Sequence, residues 1–253
     1  GREFTGLIDE VRIYNRALTA QEVEQANISA ADESVLFWCD FNAVDSENKL
    51  MDAGPKGLHA TYKGTLEARG GIGNGTALEG TATLPASEAL NLTGSLTLEA
   101  LIYPKKVSGS TNGAIVTKGN SQYAMKYIGD TAQNKSVIEF FIYDATATGS
   151  SSAKWISLEA QVPADWFENW HQVVSTFDAT AGTINIYIDG ELAASKEVSQ
   201  KTISTNDYAV AIGTDTERTG REFQGKIDNV RIYNRALSPE EICDEGRTPN
   251  DEG

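Results

Sequence analysis

Four oxygen-bearing residues from separate parts of the chain have the chemistry to hold a hard cation. Asp40 and Asn42 stand two apart in the run Val-Leu-Phe-Trp-Cys-Asp-Phe-Asn (35–42), and on an extended chain two such side chains leave by the same face. Asp228 lies in a strand-like run near the other end, Gly225 to Asn234, and Asp52 in the Gly/Pro turn Met51 to His59, which adds carbonyls. If the first and last strands are neighbours, Asp40, Asn42, Asp52 and Asp228 supply much of the shell of about six to eight oxygens that Ca²⁺ takes. The same carboxylates have a structural alternative, accepting hydrogen bonds from loop amides. Both readings stand at this point.

A second set suits a polyhydroxylated ligand. Sugars are held by aromatic planes against their apolar faces and by amides and carboxylates on their hydroxyls. Tyr123, Tyr127, Tyr143 and Trp155 fall on strand-like segments in the middle of the chain, with Asn134 and Asp144 close by in sequence. Aromatics on strands are also common core residues, and Trp38, Trp166 and Trp170 are expected to serve as framework.

Material for catalysis is thin. His59 and His171 are the only histidines, too few for a histidine-rich metal site and poor stock for a Ser–His–Asp arrangement. Asp165, Glu168 and His171 are near one another in sequence, but His171 sits in the apolar string Trp-His-Gln-Val-Val and is expected to be structural. Gly70 to Gly75 is glycine-rich without the strand-to-helix setting that phosphate-binding loops require. Cys39 and Cys243 are the two cysteines; a bridge between them and a buried free thiol at Cys39 are equally open.

These groups need a scaffold, and the pattern is that of strands. Ser95 to Tyr103 puts Leu96, Leu98, Ala100 and Ile102 on one face, and Thr183 to Ile188 does the same with Ile184, Ile186 and Ile188 before Asp189-Gly190, a hairpin-turn dipeptide. Further strands are predicted at 34–41, 58–63, 76–84, 113–118, 121–128, 136–144, 154–162, 170–178, 207–213 and 225–234. Roughly a dozen short strands indicate an all-β, two-sheet antiparallel jelly-roll sandwich. Ser108 to Asn112 and Ala145 to Ala153 are small and polar, and are expected as rim loops. One short C-terminal helix is predicted where Ser238 precedes Pro239, Glu240 and Glu241.

The chain has 253 residues, with 21 Lys and Arg against 36 Asp and Glu, a formal net charge of −15. That balance disfavours nucleic acid and anionic membranes. No apolar run approaches the roughly 18 residues of a membrane-spanning helix. An internal repeat divides the chain: residues 1–23 return as residues 220–242 with 16 of 23 positions identical. A spacing of 219 residues fits one whole domain, so 1–27 reads as a duplicated terminal strand, the remnant of a preceding module. The domain proper then spans 33–242, followed by a tail, 243–253. The spare copy is a sticky edge, and strand-mediated self-association through residues 1–27 is expected.

The strings VLFWCDFN, NWHQVVSTFD, INIYIDGEL and FQGKIDNVRIYNRALSPEEI, in that order, resemble the laminin G-like and concanavalin A-like lectin–glucanase jelly-roll modules of secreted bacterial proteins. The resemblance covers about residues 33–242. It implies a secreted, periplasmic or cell-surface location, a non-catalytic role that is often carbohydrate binding, a place beside a glycoside hydrolase, and one structural calcium. The Glu-x-Asp-x-Glu strand of the glucanases on this fold is missing. Expected, then, is a carbohydrate-binding accessory module of a glycan-degrading protein, the alternative being an adhesion or structural module that binds protein or acts as a spacer, without glycan affinity.

Overall fold

The computed structural model describes residues 33–68, 75–199 and 202–245. By its contacts the chain divides into two units, Gly1–Asp32 and Glu33–Gly253. The first unit, and with it the duplicated strand, lies outside the described residues.

Thirteen antiparallel strands are present among the described residues: β1 (Val35–Cys39), β2 (Thr61–Ala68), β3 (Thr76–Thr83), β4 (Leu96–Pro104), β5 (Ser110–Thr117), β6 (Tyr123–Asp130), β7 (Lys135–Tyr143), β8 (Trp155–Gln161), β9 (His171–Asp178), β10 (Thr183–Ile188), β11 (Glu191–Glu197), β12 (Ala211–Ile212) and β13 (Gly225–Tyr233). A helix, α1 (Pro239–Glu245), follows. The strands run in the order β11-β10-β9-β4-β13-β3-β12-β5-β6-β7-β8, with β1 on β13 and β2 on β3. The all-β, jelly-roll expectation is met with one refinement. The two layers join into a single hydrogen-bonded network where Ile227 of β13 meets Leu78 of β3, and the far edges approach through Lys196 Nζ, which donates to the Ser157 carbonyl at 3.1 Å.

Alternation decides which face is buried. Leu96, Leu98, Ala100 and Ile102 of β4 all enter the core with Val173 and Phe177 of β9 and Ile184 and Ile186 of β10. The Asp189-Gly190 turn has both residues at positive φ, 52° and 80°, the backbone of a type I′ hairpin. Ser108 to Asn112 departs from expectation: β5 begins at Ser110, its polar residues paired to Gly129, Ile128 and Asp130 of β6. The run 207–213 yields only the two-residue β12.

Strand β13 has a fault that the fold requires. Ile227 and Val230 both point into the core, though three residues apart they would face opposite ways on a regular strand. A bulge between Asp228 and Arg231, with Asn229 at φ 45°, restores the parity. Val230 and Ile232 then face inward, while Arg231 and Tyr233 meet Glu99 of β4 on the outer face, with Arg231 Nη1 and the Tyr233 hydroxyl each 3.3 Å from its carboxylate. Gln172 donates to the same carboxylate at 3.0 Å. The chain after β13 turns back over this face, where Thr97 Oγ1 donates to the Arg235 carbonyl and accepts from the Leu237 amide.

Glu99 has a side chain only 5% exposed, so removing it takes a buried carboxylate away from the Arg231 guanidinium. Glu99→Ala is expected to lower the unfolding free energy by about 3 kcal/mol, measured by urea denaturation. The double variant Glu99→Leu/Arg231→Met should recover most of that loss.

Candidate functional site

The pairing of β1 with β13, Trp38 opposite Arg231 and Cys39 opposite Val230, gathers three of the expected cation ligands. Asp40, Asp52 and Asp228 are all buried and all act electrostatically on the Cys39 thiol. Burial above all, and then these carboxylates, push that thiol well above the ordinary cysteine range. Cys39 is a free buried thiol.

Backbone amides already claim much of the oxygen that these four side chains would offer a cation. Asp52 Oδ1 accepts from the amides of Trp38 (2.9 Å) and Gly54 (2.8 Å), and its Oδ2 from that of Leu58 (2.6 Å). Asn42 Oδ1 accepts from Thr76 N, Asp40 Oδ1 from Asn42 N, and Asp228 Oδ1 from Asn229 N. Among the described residues no group of three His, Cys, Asp or Glu side chains is arranged to hold a metal. The local-amide alternative is the one the geometry favours.

The four aromatics separate by strand parity. Tyr123 and Tyr127 are corrected to core residues: both are buried in the main cluster, their hydroxyls bonded to the Leu90 carbonyl (3.0 Å) and to Ser136 Oγ (2.9 Å). Tyr143 and Trp155 lie directly opposite each other on β7 and β8, half-buried on the outer face, with ring centroids 4.9 Å apart. Trp155 Nε1 donates to the Asn120 carbonyl at 2.6 Å, which fixes the indole. Asp144 caps Thr146 and Asn134 sits in the β6–β7 turn at φ 50°; neither joins the pair.

Around this platform the structure shows groups that motif reading missed. Lys126, outward on β6, is almost fully buried, with Nζ 2.9 Å from Asn120 Oδ1, 3.5 Å from Asp215 Oδ2 and 5.0 Å from the Phe141 ring centre. Desolvation pulls its ammonium below the ordinary lysine range, against the attraction of Asp215. Glu139, opposite Lys126 in register, is pushed up by burial. Glu217 Oε2 accepts from Asn120 N (2.7 Å) and Ser121 Oγ (2.8 Å), so the loop after β12 is stapled to the β5–β6 turn. The signal for that loop was present as Asp215 and Glu217 spaced two apart, Asp215 Oδ1 capping the Glu217 amide at 2.8 Å. Beside it a groove of about 450 Å³ runs along β5 and β6, lined by Asn112, Asp130, Lys135 and Arg221 among others.

The remaining catalytic candidate is structural as expected. His171 is buried, stacked on Trp166 with centroids 4.7 Å apart, and its Nδ1 lies 2.7 Å from Asp189 Oδ2. Burial opposes the imidazolium, but the Asp189 hydrogen bond and charge, with help from Asp165, raise its pKa overall. Trp38, Trp166 and Trp170 are likewise buried.

Three outcomes follow. Adding a chelator is expected to leave the melting temperature unchanged, whereas Asp52→Ala should cost roughly 3 kcal/mol through three orphaned amides, both read by thermal and urea unfolding. A raised histidine pKa contributes stability that is complete below the unfolded value of about 6.5 and fades as pH climbs through the folded value. Asp189→Asn should therefore destabilise at mildly acidic pH and have a smaller effect at alkaline pH, measured by melting temperature against pH.

Comparison with known proteins agrees with this architecture. Residues 74–243 match a laminin G family model described as the concanavalin A-like lectin/glucanases superfamily. No curated protein sequence matches the chain. Among solved structures, the binding domain of Paraclostridial Mosquitocidal Protein 1 superimposes with a TM-score of 0.61 at 14% identity, over 85% of this chain and 52% of that one. The botulinum neurotoxin serotype D ligand binding domain, in complex with N-acetylneuraminic acid, gives 0.62 at 15% identity, over 84% and 50%. The botulinum neurotoxin DC binding domain in complex with SialylT gives 0.60 at 16%, over 85% and 51%. This chain thus spans about half the length of those structures, and identities this low establish shared fold alone. The family model covers most of the chain, which belongs to the concanavalin A-like lectin/glucanases superfamily.

Proposed function

We propose that residues 33–242 form a non-catalytic carbohydrate-binding module, an accessory of a larger secreted bacterial protein that degrades glycans. The observation that carries this reading is the Tyr143–Trp155 pair, presented half-open on the outer face of β7 and β8. An indole locked by its own hydrogen bond loses little freedom when a sugar stacks on it, and preorganisation of this kind strengthens binding. Polar groups beside the pair, half-buried Asn120 and the buried Lys126 and Asp215, hold the rim rigid. Two structures of the same fold are complexes with a sialic acid and with SialylT, which supports a glycan as the class of ligand.

His171 is engaged in packing and the acids near the chain ends accept from backbone amides, so the reading contains no reaction step. An adhesion module that binds protein is the rival.

Affinity electrophoresis through gels containing soluble polysaccharides tests the choice. At least one polysaccharide is expected to retard the protein, and Trp155→Ala or Tyr143→Ala should weaken that retardation roughly tenfold, the scale of one lost aromatic contact. No retardation by any polysaccharide, or retardation indifferent to both substitutions, overturns the proposal.

A further inference from the structure

Lys126 stands where a strand residue ordinarily meets water, yet its side chain is 2% exposed and that of Asp215 is 0% exposed. Its Nζ donates to Asn120 Oδ1 at 2.9 Å and lies 3.5 Å from Asp215 Oδ2, the long limit of a hydrogen bond. The Phe141 ring centre is 5.0 Å away, and Ala114 of β5 and Glu139 of β7 are the register neighbours on either side. Water is excluded from both the ammonium and the carboxylate. Two ions so placed carry a desolvation cost that one long contact repays poorly.

The surroundings suit a reaction between them. Burial pulls the Lys126 ammonium below its ordinary range and pushes the Glu139 carboxyl above its own, in each case against the attraction of the other group. Both directions favour an uncharged amine beside a protonated acid. The Asp215 carboxylate is fixed from its far side: Oδ1 accepts from the amides of Glu217 (2.8 Å) and Arg218 (3.2 Å), and Oδ2 faces the lysine. Two backbone N–H groups on one oxygen stabilise the charge that develops there when a nucleophile adds to the carboxyl carbon. Nζ, oriented by Asn120 Oδ1, is the nucleophile within reach.

We propose that Lys126 and Asp215 condense to an isopeptide bond, a covalent tie between β6 and the loop after β12. A proton passes from the ammonium to Oδ2, with Glu139 as its carrier across the ladder. Nζ then adds to Cγ while the Glu217 and Arg218 amides hold the charge on Oδ1, and the Cγ–Oδ2 bond breaks as Oδ2 takes a second proton and departs as water. Of the three ammonium protons, one stays on the amide nitrogen and two leave with that oxygen, so no co-reactant is needed. The product replaces two buried ions with one neutral amide, and the exclusion of water disfavours the return reaction. Asn120 is not the acceptor, because its Oδ1 orients the lysine and carries no pair of backbone amides among the described residues.

Intact-mass spectrometry of the full chain under denaturing conditions, followed by tryptic peptide mapping, reads the bond directly. Expected is a mass one water below that of the sequence, returned to the sequence value in Lys126→Met and in Asp215→Ala, and a branched peptide joining the segments around residues 126 and 215. Glu139→Gln, nearly the same in shape, should melt as a folded protein and keep the sequence mass. A wild-type chain at its full sequence mass, with ordinary tryptic cleavage after Lys126, overturns the proposal and leaves an ion pair only; that outcome needs no variant to fold. Loss of one ammonia with a branch to Asn120 overturns the choice of acceptor. A bond that forms undiminished in Glu139→Gln overturns the role given to that carboxyl.

Discussion

Strand β13 is hydrogen-bonded along both edges, and the rest of the molecule depends on that. One edge follows β4 from Pro104 to Thr97; the other meets β3 at Leu78 and then β1 from Cys39 to Val35. Pull β13 out and β1 loses its partner, the two layers lose their bridge, and α1 loses its tether. The bulge at Asp228 sets the register of everything after it, because without the extra residue Arg231 and Tyr233 would turn toward the core and Val230 toward solvent. Glu99 answers that register from β4 by accepting from both, and the Arg231 guanidinium also lies 5.0 Å from the Trp38 ring centre. A buried ion pair adds little net stability over apolar residues of similar size. Here the pair goes with the bulge, which turns Arg231 toward the Glu99 carboxylate.

Legibility in the sequence followed how much each segment contrasts its two faces. β4 and β10 alternate cleanly and were readable to within a residue or so, as was the Asp189-Gly190 turn. β13 was marked by the repeat, whose shared residues include the bulge Asp and the outer-face Arg and Tyr. β5 was obscured because Ser110, Thr111 and Asn112 look like loop residues, and their strand state comes from pairing with β6 and not from their own propensity. On β6 both faces carry buried residues, Tyr123, Met125 and Tyr127 inward and Ala124 and Lys126 outward. Parity there could not say which tyrosines meet water. The acids around Cys39 were rightly expected near one another, but the amides of Trp38, Gly54 and Leu58 claim the oxygens of Asp52, and that is a property of chain conformation which residue spacing does not encode.

The outer face of β5 to β8 owes its character to those same competitions. Lys126 sits where a strand ordinarily meets solvent, and it is tolerated because Asn120, Asp215 and the Phe141 ring replace its water. That arrangement anchors the turn carrying Asn120, whose carbonyl orients Trp155, and whose neighbours Lys118 and Ser121 hold the loop with Tyr208.

The most direct test of a glycan-binding role for this turn is to follow backbone amide chemical shifts while a mixture of neutral oligosaccharides is titrated into isotopically labelled protein. The account predicts saturable shifts concentrated in residues 118–122, 143–155 and 206–210, with β4, β9 and β13 left unchanged. Shifts centred on the β4–β13 face, or none at any sugar concentration, would contradict it.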